Sequence, residues 1–130
     1  MIARRYEELE AWQLADQLRR EVHTLTNAGP ASADFKFRDQ IRDAVSSAAR
    51  NIAEGFGRFR PADFARFMEF SLSSTIEVQD LIIDGIERKY FTLDTTKRTS
   101  QLAQRSLQVS RGLLRYLKRC RKRPPSFLAR

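Results

Sequence analysis

Several residue types are nearly absent from this 130-residue chain: one cysteine, one histidine, four prolines and five glycines. With Cys120 alone, neither an intramolecular disulfide nor a cysteine-built metal cluster can form. Its neighbours Arg119 and Arg121 would lower a thiol pKa, although an incidental cysteine at the core edge of a helix is the plainer account. With His23 as the only imidazole, serine or cysteine nucleophiles lack a general base and a metal site lacks clustered ligands. No apolar run approaches the roughly 18 residues of a membrane-spanning helix. Met1 to Trp12 mixes Arg4 and Arg5 with Glu7, Glu8 and Glu10, unlike a secretory leader. The expectation is a cytoplasmic protein with no membrane partner. The last absence is one sign of charge. After Asp94 no acid occurs, yet Lys97, Arg98, Arg105, Arg111, Arg115, Lys118, Arg119, Arg121, Lys122, Arg123 and Arg130 follow. The formal excess of +8 is concentrated there, and such a field attracts polyanions.

Glycine and proline fall where segments should break: Asn27 to Pro30, Gly55 to Pro61, and Pro124-Pro125, with Thr92-Leu93-Asp94 as a further break. Between them the apolar residues repeat with helical period. The first segment, about Glu7 to Thr26, carries Ala11, Leu14, Leu18, Val22 and Leu25. The second, about Phe35 to Phe56, carries Phe37, Ile41, Val45, Ala48, Ile52 and Gly55. The third opens at Pro61, a favoured first-turn residue, and runs through Phe64, Phe67, Met68, Ser71, Thr75, Val78, Ile82 and Ile86. The fourth starts near Asp94 or Thr95, both good N-caps, with Leu102, Val109, Leu113, Tyr116 and Cys120 facing inward. Four amphipathic helices on short loops predict an all-α, antiparallel up-and-down four-helix bundle over residues 1–123, with a short tail at 124–130.

The third helix carries more apolar surface than one bundle needs. Leu72, Ile76 and Ile83 form a second row about 100 degrees from the first, and Phe70 lies on another side. Trp12 sits off the first helix's stripe. Trp12, Phe70, Leu72, Ile76 and Ile83 are therefore candidates for a contact between copies in a homo-oligomer, the alternative being a thick, irregular core. Beside the second helix's core stripe runs a polar row: Gln40, Ser47, Asn51, Glu54 and Arg58. Arg50 and Arg58 can each reach Glu54, and Glu77 on the third helix is a further partner. The row reads as a solvated flank, as a network fixing register or a subunit contact, or least well as active-site carboxylates.

Trp12-Gln13, Arg38-Asp39-Gln40, and Asn51-Ile52-Ala53-Glu54-Gly55 followed by Arg58 resemble the proteins encoded within 23S rRNA intervening sequences. The pattern continues through Phe64, Phe67, Ser74, Glu77 and Tyr90, so the resemblance covers about Tyr6 to Tyr90. Two positions depart from it: Ser73 and Lys89 stand where the family favours glycine. The resemblance implies a left-handed four-helix bundle, a ring-like homopentamer and a basic nucleic-acid-binding surface. A related bundle is the accessory factor of a retroelement reverse transcriptase, which suggests a ribonucleoprotein or reverse-transcriptase-like partner by analogy.

Chemistry at the residue level points to binding rather than reaction. Glu54-Gly55-Phe56-Gly57-Arg58 has neither Walker nor dinucleotide spacing, and its glycines are expected to end the second helix. Neither a cofactor nor a metal is expected, and the chain is not expected to be an enzyme. On the fourth helix Arg111, Arg115, Lys118 and Lys122 share one face, broadened by Arg119, in a stripe roughly 16 Å long. Four or five phosphate contacts would give a log-log salt slope near −4. No Asn or Gln reads as a base reader beside the stripe, and Phe127 in the tail is the one candidate for base stacking. The reading is a weakly sequence-specific binder of RNA or DNA. A protein-interaction scaffold without a nucleic-acid role is the alternative.

Overall fold

The computed structural model describes residues 3–120. Within them lie five α-helices and no strand: α1 (Glu10–Leu25), α2 (Gly29–Ala33), α3 (Phe35–Phe56), α4 (Pro61–Glu87) and α5 (Lys97–Arg119), after a 3-10 turn at Tyr6–Glu8. The chain thus has one helix more than the periodicity predicts. The Asn27 to Pro30 break folds into the single turn of α2, where Gly29 takes a left-handed φ of 72° and Pro30 occupies an early position that needs no N–H donor. The four long helices form a helical bundle in which α1 and α4 each pack against both α3 and α5. Among the described residues no helix is long and apolar enough to cross a membrane.

Three of the four inward stripes lie where helical spacing puts them. Leu14, Leu18 and Val22 of α1, Phe37, Ile41, Val45 and Ile52 of α3, and Phe64, Met68, Val78 and Ile82 of α4 are all buried. The fourth stripe is rotated. Leu102, Val109, Leu113, Tyr116 and Cys120 are only half-buried, and α5 instead buries Thr99, Ala103, Ser106, Leu107, Ser110 and Leu117. The shift is about a quarter turn on the helical wheel. Small side chains let α5 sit close against its neighbours, while its larger apolar residues wrap their flanks. The start of α5 differs too. Neither Asp94 nor Thr95 caps it, because Thr95 and Thr92 exchange N–H···Oγ1 bonds at 3.0 Å and the helix begins two residues later.

Core packing falls into two clusters. One gathers Leu18, Val22, Phe37, Ile41, Val45, Ile82 and Phe91, and the other Ala11, Ala15, Ile52, Phe56, Phe64, Met68 and Leu117. Between them along α4 stand Ser71 and Thr75, whose hydroxyls bond the carbonyls of Ala48 (2.8 Å) and Ser71 (3.0 Å). Of the two glycines expected to end α3, Gly57 stands at its C-cap and Gly55 does not end it. Gly55 lies within the last turn, and a Cβ there would stand 2.7 Å from the Phe64 ring, so the missing side chain is what admits that ring. Gly57, at the C-cap, keeps an ordinary helical φ of −73°.

The end of α4 is closed by a Schellman motif. The Lys89 N–H donates to Ile86 O (2.9 Å) and the Tyr90 N–H to Gly85 O (2.8 Å). This geometry needs a left-handed residue, and Lys89 supplies it at φ 64°. Tyr90 then lays its ring edge-on to Phe37, with centroids 5.2 Å apart, and donates its hydroxyl to Asp34 Oδ2 at 2.6 Å. Asp34 also accepts the Phe37 N–H (3.1 Å), capping α3. One carboxylate thereby ties the start of α3 to the end of α4. The Tyr90 hydroxyl first, then the Phe37 N–H, hold the Asp34 carboxyl below its usual range; the same bond to Asp34, together with burial, raises the Tyr90 phenol.

Two outcomes follow from this corner. Lys89→Gly removes the left-handed strain of a side chain at a cost in unfolded-state entropy, and the balance is a gain of about 0.5–1 kcal/mol, read as a higher urea midpoint at unchanged slope. A lower midpoint would show that the lysine side chain stabilises the corner by more than its backbone strain costs. The second outcome concerns acid. Asp34 has a depressed folded pKa, so its contribution is present above the ordinary carboxylate value of about 3.9 and is lost as pH falls through the folded value. Tyr90→Phe removes the leading cause of that depression. The stability gap between wild type and Tyr90→Phe is therefore expected to shrink between about pH 6 and pH 3, and a gap constant over that range would contradict it.

Candidate nucleic-acid interface

The helix α5 has no acid of its own, so whatever neutralises it comes from elsewhere. The structure provides three such pairs. Arg98 Nε lies 3.3 Å from Glu21, Arg105 Nη2 2.8 Å from Glu10, and Lys118 Nζ 3.3 Å from Glu69. The first two acids stand on α1 and the third on α4, so each flank of α5 meets a carboxylate from the helix it packs against. All three pairs are largely exposed and worth well under about 1 kcal/mol each.

Arg111, Arg115 and Arg119 are different. They project from the outer face of α5, are exposed, and have no carboxylate in ion-pair range among the described residues. Spaced at i, i+4 and i+8, they form a line about 12 Å long. Of the five residues expected in the basic stripe, these three remain open, Lys118 is engaged with Glu69, and Lys122 lies outside the described residues, as does Phe127. No Asn or Gln is expected to act as a base reader beside the stripe, yet amides do stand near it. Gln101, Gln104 and Gln108 are exposed on the same outer side, with Gln108 one turn before Arg111. The signal was available in their helical spacing.

The polar row of α3 reaches α4 at two points. The Gln40 amide donates to Glu77 Oε2 at 3.5 Å, the Ser47 and Ser74 hydroxyls are 2.9 Å apart, and the Asn51 amide donates to both the carbonyl (2.8 Å) and the hydroxyl (3.0 Å) of Ser47. Arg58 pairs with Glu54 at 3.6 Å. Arg50 makes no ion pair among the described residues; it lines a polar groove with Gln40, Asp43, Ser47, Ser74 and Glu77. Gln40 with Glu77 and Ser47 with Ser74 join the two helices, while the Asn51 and Arg58 contacts stay on α3 and its C-terminal end.

The five candidates for a contact between copies do not share one surface. Trp12 is half-buried against Tyr6 of its own chain, ring centroids 5.2 Å apart. Ile76 and Ile83, 48% and 56% exposed, lie along one line of α4 with the half-buried Leu72 nearby. Phe70 stands about 120 degrees away around α4, against Phe67. Next to Ile83 an apolar groove runs between α4 and α5, lined by Ile82, Ile86 and Leu93 with Thr96 and Lys97. His23 is half-buried on α1, and burial followed by the charges of Arg42 and Arg19 lowers its pKa.

Comparison with known proteins places this chain in a family. Residues 7–112 match the model of the 23S rRNA-intervening sequence protein. The match extends beyond Tyr90 through most of α5, but Arg115, Lys118 and Arg119 lie past its end. No curated protein matches the chain. With the matched residues spanning most of its length, the chain belongs to the 23S rRNA-intervening sequence protein family.

Proposed function

We propose that this protein is a non-catalytic, oligomeric bundle that binds nucleic acid, RNA above all, through the outer face of α5 with weak sequence specificity. The observation that carries the reading is the selective pairing of α5. Its flanking cations find Glu10, Glu21 and Glu69, while Arg111, Arg115 and Arg119 face solvent with no carboxylate in reach. Three cations on one line meet successive phosphates, and backbone charge of this kind positions a ligand without reading its sequence.

The assembled form is part of the proposal. We read the four long helices as an antiparallel, left-handed up-and-down bundle. The cross-helix partners support the antiparallel order, since Gln40 pairs with Glu77 and Ser47 with Ser74, while Glu10 pairs with Arg105 and Glu21 with Arg98. Copies then associate through the exposed Ile76 and Ile83 face into a ring of five, as the family resemblance implies, in the cytoplasm. Several α5 faces in one particle would add avidity to individually weak contacts. A protein-interaction scaffold is the second reading. The apolar groove of Ile82, Ile83, Ile86 and Leu93 favours it, because that groove could seat a partner helix.

A salt titration separates the two. Binding of the full chain to structured RNA is expected to weaken with salt, and Arg111→Glu, Arg115→Glu and Arg119→Glu combined should abolish it at physiological salt. Replacing the three by Gln instead should flatten the log-log slope by about 2–3. Light scattering would check that the particle mass is unchanged. Wild-type binding that vanishes above about 100 mM salt, or that the Glu variant retains, would shift the case to the scaffold.

A further inference from the structure

Across the turn from α3 into α4 the sequence alternates cation and ring: Arg58, Phe59, Arg60, then Arg66, Phe67 and Phe70. The fold gathers most of these on one face. Phe67 and Phe70 meet edge to face, centroids 5.8 Å apart and planes at 88°. The Arg58 guanidinium lies 4.8 Å from the Phe67 ring centre, and that of Arg66 lies 5.6 Å from Phe67 and 6.0 Å from Phe70. Phe70 keeps 47% of its surface exposed. Arg58 and Arg60 have Glu54 and Asp63 at 3.6 and 3.4 Å, whereas Arg66 has no carboxylate in ion-pair range among the described residues. Arg66 also lines one groove with Lys118, so this face continues onto the basic end of α5.

What would cover such a face is constrained by its charge. An apolar protein surface laid on Phe70 would strip water from Arg66 and return no anion. A nucleic-acid strand supplies a flat base for the ring and a phosphate for the guanidinium, and cation–π contact holds the arginines where both are met. A duplex keeps its bases stacked inside and has none to offer.

We propose that Phe70, flanked by Arg66, stacks an unpaired base of a single-stranded nucleic acid whose backbone continues onto Lys118, Arg115 and Arg119. This rests on the reading of α5 as a polyanion surface and narrows its ligand to single strands. The ring required for stacking then comes from α4 rather than from the tail.

Fluorescence anisotropy of the full chain tests it with three labelled probes: a uridine-rich RNA strand, the same sequence as single-stranded DNA, and a duplex of equal length. The wild type is expected to prefer either single strand, and the two strands together tell which backbone it favours. Phe70→Leu keeps the apolar bulk and removes the aromatic face. It should weaken single-strand binding about ten-fold while leaving duplex binding and the salt slope unaltered, and Phe70→Trp should restore it. Equal wild-type affinity for strand and duplex, or an unchanged single-strand affinity in Phe70→Leu, overturns the platform and leaves the α5 reading in place. No binding to any probe overturns both. A change in particle mass on Phe70→Leu, seen by light scattering, assigns the ring to a contact between copies and overturns the platform as well.

Discussion

The helix α5 joins the bundle through Thr99, Ala103, Ser106 and Ser110 as much as through Leu107 and Leu117. Side chains this small bury little apolar area, so docking depends on close approach and on the half-buried Leu102, Val109, Leu113 and Leu114 at its flanks. Close approach has an electrostatic consequence. It brings Arg98 and Arg105 to acids of α1 and Lys118 to an acid of α4, while every cation on the outer side is carried away from them. The open line of Arg111, Arg115 and Arg119 results from which face of α5 is narrow enough to be buried.

The two ends of the bundle are built differently. At one, Asp34, Phe37 and Tyr90 meet under the Schellman turn at Lys89, and the ring of Phe91 fills the space left by Gly85. Polar groups there are paired and the corner is closed. At the other, Gly55 makes room for Phe64, so the core is equally tight, but the surface above it is left with Arg58, Arg66, Phe67 and Phe70. Rings held under guanidinium groups are more rigid than exposed phenylalanines alone, since cation–π contact and the edge-to-face pair each favour one arrangement. Rigidity lowers the ordering cost of a contact.

Helical period made most of the fold legible, because in α1, α3 and α4 the apolar residues that recur every three or four positions, such as Leu18, Ile41 and Met68, are also buried ones. It misplaced α5 because hydrophobicity ranks Leu102 and Val109 above Ser106 and Ser110, whereas the packing selects by size. The turn of α2 was hidden by Gly29 and Pro30, which mark a break without revealing that a single helical turn follows it. In the site, the cations of α5 were plain from the charge run, but their division into paired and open was not. That division depends on Glu10 and Glu21, about a hundred residues away in sequence for the first, and on how α5 is rotated. The arginine–phenylalanine face was written in the sequence as an alternation. Its meaning depended on the connection from α3 to α4, which brings the Arg58 guanidinium 4.8 Å from the Phe67 ring centre.

Glu69 is where the two surfaces meet. It shares a groove with Arg66 and Lys118 and holds Lys118 at 3.3 Å, with both side chains more than half exposed. A pair so open contributes about 0–1 kcal/mol and is screened further by salt. A phosphate arriving between the ring of Phe70 and the line of α5 would compete with that carboxylate for Lys118, and would do so at small cost. The same carboxylate would repel a strand that offered its phosphates elsewhere along the groove. On the proposed reading Glu69 would act against loose, purely electrostatic adsorption more than against a strand whose base is stacked, because only the stacked strand has a second source of affinity with which to displace it.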